Sequence, residues 1–106
     1  MHLPASIHTY FTACAPEDAE AFAAAFAPDA IVSDEGQNHC GPQEISDWWL
    51  AAKARYRHHA EPLDVAEHAG RTLVRARVSG DFPGSPAVLT FAFRLSAGRI
   101  TALEIG

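Results

Sequence analysis

The sequence predicts an α+β fold, with three helices in the N-terminal half packed on one face of an antiparallel sheet of roughly six strands. Two observations predict it. Apolar residues recur at helical spacing as far as Tyr56, and they switch to period two after His58-His59, with Gly or Pro at most of the changes of pattern. A third observation bounds the size: 106 residues that are 48% hydrophobic and 20% charged can bury one core and do not divide into two, so a single domain over residues 1–106 is expected.

Leu3, Ile7, Tyr10, Phe11 and Cys14 make the stripe of a first helix, with Pro4 tolerated in its first turn, where a missing N–H costs nothing. Pro16 ends that helix and suits the start of a second, in which Glu17, Asp18 and Glu20 sit near the positive end of the dipole. Ala19, Phe22, Ala23 and Phe26 share one face of this second helix, and Pro28 closes it. Residues 30–34 read as a short β-branched strand running into the polar turn Glu35-Gly36-Gln37-Asn38, and a second short strand around His39 and Cys40 returns beside it. Gly41-Pro42 precedes the longest helix, whose apolar face carries Ile45, Trp48, Trp49, Ala52 and Tyr56 while Asp47, Lys53 and Arg57 take the wet side. Strands follow over roughly residues 62–69, 72–79, 87–95 and 99–105, separated by Gly70, the stretch 80–86 and Gly98. In the third of these Leu89, Phe91, Phe93 and Leu95 alternate with Thr90 and Arg94, so the odd positions face the core.

Charge excludes some functions. The net charge of −5 gives no clustered basic footprint for a phosphate backbone, so no nucleic acid partner is expected. Residues 1–52 hold eight acids and no Lys or Arg, and the remainder holds all eight bases with five acids, so the N-terminal half presents an acidic, solvated surface. The residues up to Ala13-Cys14-Ala15 resemble a secretion signal only superficially, lacking a basic start and being broken by Ser6, His8 and Thr9. With no apolar run of membrane-spanning length and two cysteines that fit neither a disulfide scaffold nor a zinc spacing, a cytoplasmic protein with reduced thiols and no membrane partner is expected.

Two polar residues are out of keeping with their surroundings. Tyr10 lies on the apolar stripe of the first helix and Asp34 ends an otherwise apolar strand. A carboxylate and a phenol facing one apolar cavity constitute a general base and an oxyanion donor, the carboxylate's proton affinity being raised by burial. The plainer alternative is that Tyr10 packs its ring and reaches water while Asp34 accepts amides of the turn at Glu35 and Gly36.

The text of the chain resembles a known family. Tyr10-Phe11-Thr12, the run from Phe22 to Phe26, residues 27–34 reading APDAIVSD, Gly41-Pro42-Gln43-Glu44-Ile45 and Trp48-Trp49 are similar to the SnoaL-like and ketosteroid isomerase-like branch of the nuclear transport factor 2-like superfamily. The later stretches 80–85, 91–95 and 98–100 are similar to it too. The resemblance implies a cone: a strongly bent antiparallel sheet, mixed at its edge, wrapped around the helices, with an apolar pocket open at one end and a homodimer as the usual assembly. It also implies Asp34 as catalytic base and Tyr10 as oxyanion donor, through the isomerase pattern Ala-x-Val-x-Asp. The second acid of the isomerase oxyanion hole would fall on Phe91, so the steroid reaction itself is not implied. His39, brought near the mouth by a short turn, is a candidate second acid or base, and Glu104 is the one late-strand acid, expected to point outward.

Around such a site the ligand pocket would be lined by Trp48, Trp49, Phe22, Phe26, Tyr56, Leu89, Phe91 and Phe93, although large aromatics at helical spacing are equally core formers. Arg75 and Arg77 alternate with Val74, Ala76 and Val78, which places them on the outer sheet surface facing acids or a partner subunit. His2, His8, His58, His59 and His68 show no ligand spacing, and Cys14 has no basic neighbour in sequence, so no metal, no cofactor and no thiol nucleophile is expected. Two readings stay open: a cofactor-independent enzyme moving a proton beside the carbonyl of an apolar small molecule, and a non-catalytic dimeric module that binds a lipophilic molecule or a protein.

Overall fold

The computed structural model describes residues 2–106. Its elements run α1 (Ala5–Thr12), a 3-10 turn (Pro16–Asp18), α2 (Ala19–Ala24), β1 (Phe26–Asp34), β2 (Gln37–Cys40), α3 (Gly41–Tyr56), β3 (His59–His68), β4 (Arg71–Ser79), β5 (Ala87–Ser96) and β6 (Arg99–Ile105). The six strands form one open sheet in the order β2-β1-β6-β5-β4-β3. All pairings are antiparallel except β1 with β6, where Val32 lies beside Leu103, so the sheet is mixed. The parallel pair follows from connectivity, because the first and last strands become neighbours only after the chain has traversed the rest of the sheet.

One apolar cluster joins the inner sheet face to the helices: Ile7 and Tyr10 from α1, Phe22 from α2, Ile45 and Trp49 from α3, and Val32, Val74, Phe93, Ile100 and Leu103 from the strands. Phe22 stacks on Trp49 at 4.4 Å between ring centroids, which ties α2 to α3. The opposite sheet face is polar and carries the pairs Arg75–Asp64 and Arg77–Glu61, with Glu104 exposed as well. These outward arginines follow from the alternation of β4, whose Thr72, Val74, Ala76 and Val78 are the buried set.

Three local expectations are corrected. The second helix stops at Ala24 and Phe26 opens β1, so Pro28 lies inside a strand instead of closing a helix; Phe26 is buried either way, which is why its apolar spacing misled. The first helix ends at Thr12, leaving Cys14 exposed beyond it. There the Asp18 carboxylate accepts the Cys14 and Ala15 N–H groups at 3.1 Å each, a polar closure of the turn that hydrophobic spacing does not reveal. Third, Lys53 is not on the wet side of α3 but half-buried.

Two turns position functional groups. The β1–β2 hairpin closes with only Glu35 and Gly36 between Asp34 and Gln37, both with positive φ (52° and 75°), the two-residue geometry that matches strand twist and for which glycine is the natural second residue. Asp34 is thereby fixed at the very end of β1. At the other side of the domain, a Cβ on Gly80 would stand 2.7 Å from the Tyr56 carbonyl oxygen and 2.9 Å from the His58 Cα, so only glycine lets the end of β4 close on the C-terminus of α3. Asp81 N–H donates to that Tyr56 carbonyl at 2.7 Å, and Gly80 N–H donates to Ser85 Oγ at 3.0 Å.

Candidate functional site

The inner side chains do not fill the sheet's whole concave face. Toward one end a cavity of about 350 Å³ remains, bounded by Tyr10 and Phe11 of α1, Asp34 and Glu35 at the hairpin, Trp48, Trp49, Ala52, Lys53 and Tyr56 along α3, His58 and Ala60 after it, Val78, Phe82 and Pro83, and Leu89, Phe91 and Ile105 from the last strands. The wall is largely carbon, with a few polar groups that converge on it, which is the usual make-up of a small-molecule site.

Asp34 and Tyr10 therefore share a cavity. Burial raises the Asp34 pKa above its ordinary value, and the neighbouring Glu35 charge raises it further; Trp48 acting as a hydrogen-bond donor, the His39 charge and the Glu35 backbone pull in the other direction. The net shift is upward, so the carboxylate holds a proton more readily than an ordinary aspartate. Tyr10 is held by aromatic rings on every side: Phe11 at 5.1 Å, Phe22 and Phe93 at 5.5 Å, Phe91 at 5.9 Å and Phe26 at 6.4 Å. Desolvation first, and then the nearby Asp34 charge, push its phenol well above the ordinary tyrosine value, so the hydroxyl stays protonated and is available as a neutral donor.

The remaining sequence-predicted residues divide. Trp48, Trp49, Tyr56, Leu89 and Phe91 line the cavity. Phe22, Phe26 and Phe93 do not: they are 0%, 2% and 0% exposed and form the closed part of the core, because α2 and β1 seal that end of the cone. His39 is not on the cavity wall either. Its ring stacks on Trp48 at 5.5 Å, which puts it one layer behind the residue that touches Asp34 and close enough for its charge to favour the carboxylate. Trp48 is thus shared between His39 and Asp34, a relation that sequence spacing did not suggest.

Sequence reasoning missed a second polar group of residues. Lys53 and His58 also line the cavity, and both border a smaller pocket beside Cys14. Lys53 Nζ donates to the His58 carbonyl at 2.6 Å and lies 5.9 Å from the centroid of the Trp49 ring. Burial lowers the Lys53 pKa, and burial together with the Lys53 and His59 charges lowers that of His58 to about 4, so His58 is a neutral imidazole near pH 7. One signal in the sequence pointed here: Lys53 stands four residues after Trp49, on the same helix face. Among the described residues no group of three or more His, Cys, Asp or Glu side chains is gathered to hold a metal, and no helix is long and apolar enough to cross a membrane.

Three helices on a bent, open mixed sheet with a one-ended cavity define the nuclear transport factor 2-like class of α+β folds. Within it, this chain belongs to the SnoaL-like domain family, whose profile matches residues 7–103. The chain is similar to a Sinorhizobium meliloti protein provisionally called a polyketide cyclase, with 47% identity and a TM-score of 0.92 over 98% of this chain and 95% of the other. It shares its fold with a Catenulispora acidiphila protein of ketosteroid isomerase-like fold solved in complex with trimethylamine (19% identity, TM-score 0.83, 99% and 86% covered). An LEH-like epoxide hydrolase from Mycobacterium tuberculosis has the same fold (14% identity, TM-score 0.77, 96% and 79% covered). Curated proteins yield no significant match.

Proposed function

We propose that the cavity is the active site of a cofactor-independent enzyme of isomerase or cyclase type, which moves a proton beside the carbonyl of an apolar small molecule. Asp34 takes the proton from the carbon next to the carbonyl, Tyr10 donates a hydrogen bond to the oxygen as negative charge develops there, and the protonated Asp34 returns the proton to the same or another carbon. Trp48, next to Asp34, favours its ionised form, and the His39 ring stacks on Trp48. The observation that carries this reading is that a carboxylate with raised pKa and a protonated phenol line one apolar cavity. The name given to the 47% identical Sinorhizobium meliloti protein fits acid–base chemistry on polyketide-like substrates.

Phe91 on the wall, where the isomerase pattern has its second acid, leaves Tyr10 to serve the oxygen alone. Loss of one oxyanion donor typically costs about 10²–10³ in rate, so a one-donor site is slower and suits more acidic carbon acids. The test is proton–deuterium exchange into the apolar bicyclic ketone 2-tetralone, followed by NMR. Wild-type protein should accelerate exchange and Asp34→Asn should not; equal exchange by both would overturn the reading.

One observation favours a second role for the outside of the sheet. Ile31 on β1 and Val88 on β5 are 43% and 52% exposed there, Val88 directly beside Arg77 of the Arg77–Glu61 pair. A homodimer that covers this face would remove that apolar surface from water, and it is compatible both with catalysis and with a purely binding module. Sedimentation equilibrium checks it: Val88→Glu should shift a dimer toward monomer, and a monomeric wild type would contradict it.

A further inference from the structure

Lys53 is a half-buried cation without a carboxylate partner: among the described residues the side-chain ion pairs are Arg75–Asp64 and Arg77–Glu61, and the one acidic group that acts on Lys53 is the Cys14 thiol, which sequence spacing had left without a basic neighbour. Its ammonium carries three N–H groups, of which the His58 carbonyl takes one. A buried charge is normally paired, since taking it from water unpaired is costly. We propose that the missing partner is the substrate itself, an apolar keto acid whose carboxylate binds Lys53 while its carbonyl reaches Asp34 and Tyr10.

Geometry gives the cavity a direction. It runs along α3, from Trp48 at the Asp34 end to Lys53 and Tyr56 at the other. Five residues of helix separate Trp48 from Lys53, a rise of about 7–8 Å. A substrate carboxylate is repelled at the Asp34 end, where Glu35 adds a second negative charge, and attracted at the Lys53 end. The same charges would therefore orient the molecule so that only one end presents a carbonyl to the base. His58, neutral near pH 7, can donate its one ring N–H to the second carboxylate oxygen. The Gly80 contact with the Tyr56 carbonyl and the His58 Cα is what holds this end of the wall in place.

This inference rests on the proposed reaction for its carbonyl half only, so it is tested by binding alone. The probes are 2-naphthoate and its uncharged counterpart 2-naphthamide, titrated calorimetrically at pH 7 into the full chain. Wild-type protein should bind the acid about ten- to a hundredfold more tightly than the amide, the usual worth of a hydrogen bond to a charged group. Lys53→Met and Lys53→Gln should erase the preference, Lys53→Arg should keep most of it, and Asp34→Asn should keep or increase it. Equal or undetectable binding of acid and amide by wild type would overturn the assignment, as would a preference that survives in Lys53→Met. The acid-to-amide ratio of the wild type decides the matter even if no Lys53 variant folds. An intact preference with no exchange into 2-tetralone would sink the catalytic reading and leave the lysine's role standing.

Discussion

Phe91 and Phe93 lie two residues apart on the same face of the same strand, yet they belong to different regions. Both pack against Tyr10 and Phe11, but Phe93 is completely buried away from the cavity, whereas Phe91 borders the empty space that also meets Asp34 and Lys53. On α3, Trp49 joins the two halves, being 3% exposed and stacked on Phe22 while one edge meets the cavity, and Trp48 stands wholly at the open end, beside Asp34 and His39. A closed half that gives stability and an open half that keeps a cavity are built from the same residue types, so an aromatic side chain by itself says nothing about which half it serves. What distinguishes the halves is the polar company at the open end.

Substitutions should separate the halves. The largest effect is expected at Asp34→Asn, which should reduce α-proton exchange by about 10³-fold or more, as loss of an activating base does. Because burial disfavours the charged carboxylate, the native state holds the Asp34 proton more tightly than the unfolded chain. Stability therefore falls as pH rises from the ordinary carboxylate value through the raised one. Asp34→Asn should then melt no lower than wild type at pH 7, and a large drop in its melting temperature would mean that Asp34 belongs to the closed half. Next comes Phe93→Ala, which should cost about 3–5 kcal/mol in urea unfolding. Phe91→Ala should cost less, since part of its ring already lacks neighbours, and equal losses would erase the contrast.

Tyr10→Phe should lower exchange by about 10²–10³-fold while leaving the urea midpoint almost unchanged, because the ring is held by aromatic neighbours and not through its hydroxyl. Gly80→Ala should destabilise by about 1–3 kcal/mol, the usual cost of forcing an atom into occupied space, and it should disturb binding at the Lys53 end before it disturbs exchange at Asp34. The smallest effect is in pH dependence. His58, with its pKa depressed to about 4, takes up its proton less readily folded than unfolded, so its contribution makes stability decline as pH falls from about 6.5 to about 4. His58→Gln should flatten that part of a melting-temperature profile, and an unchanged slope would place His58 in solvent.

The closed half was the more legible in the sequence. Helical spacing found Ile7, Phe22, Ile45 and Trp49, and period two found the inner faces of β4 and β5, because a residue destined for the core must repeat with its element. The parallel β1–β6 pairing had no local signature, being a contact between the two most distant strands. In the open half, Asp34 and Tyr10 stood out because each breaks an apolar pattern. Lys53 did not, since a lysine on an amphipathic helix reads as solvated, and its burial depends on how Gly80 lets the end of β4 approach Tyr56 and His58. Trp48's place between Asp34 and His39 is likewise set by the two-residue turn at Glu35-Gly36, which no periodicity encodes.

The open half is a proton-transfer site only if the carboxylate at its edge is the base, and the pH dependence of kcat/KM for deuterium exchange into 2-tetralone tests this most directly. The rate should rise with pH through a single ionisation lying above the ordinary aspartate value and then level off, with Asp34→Asn lacking both the limb and the plateau. A wild-type rate that tracks the buffer blank across the range, or an acid limb that persists in Asp34→Asn, would contradict it.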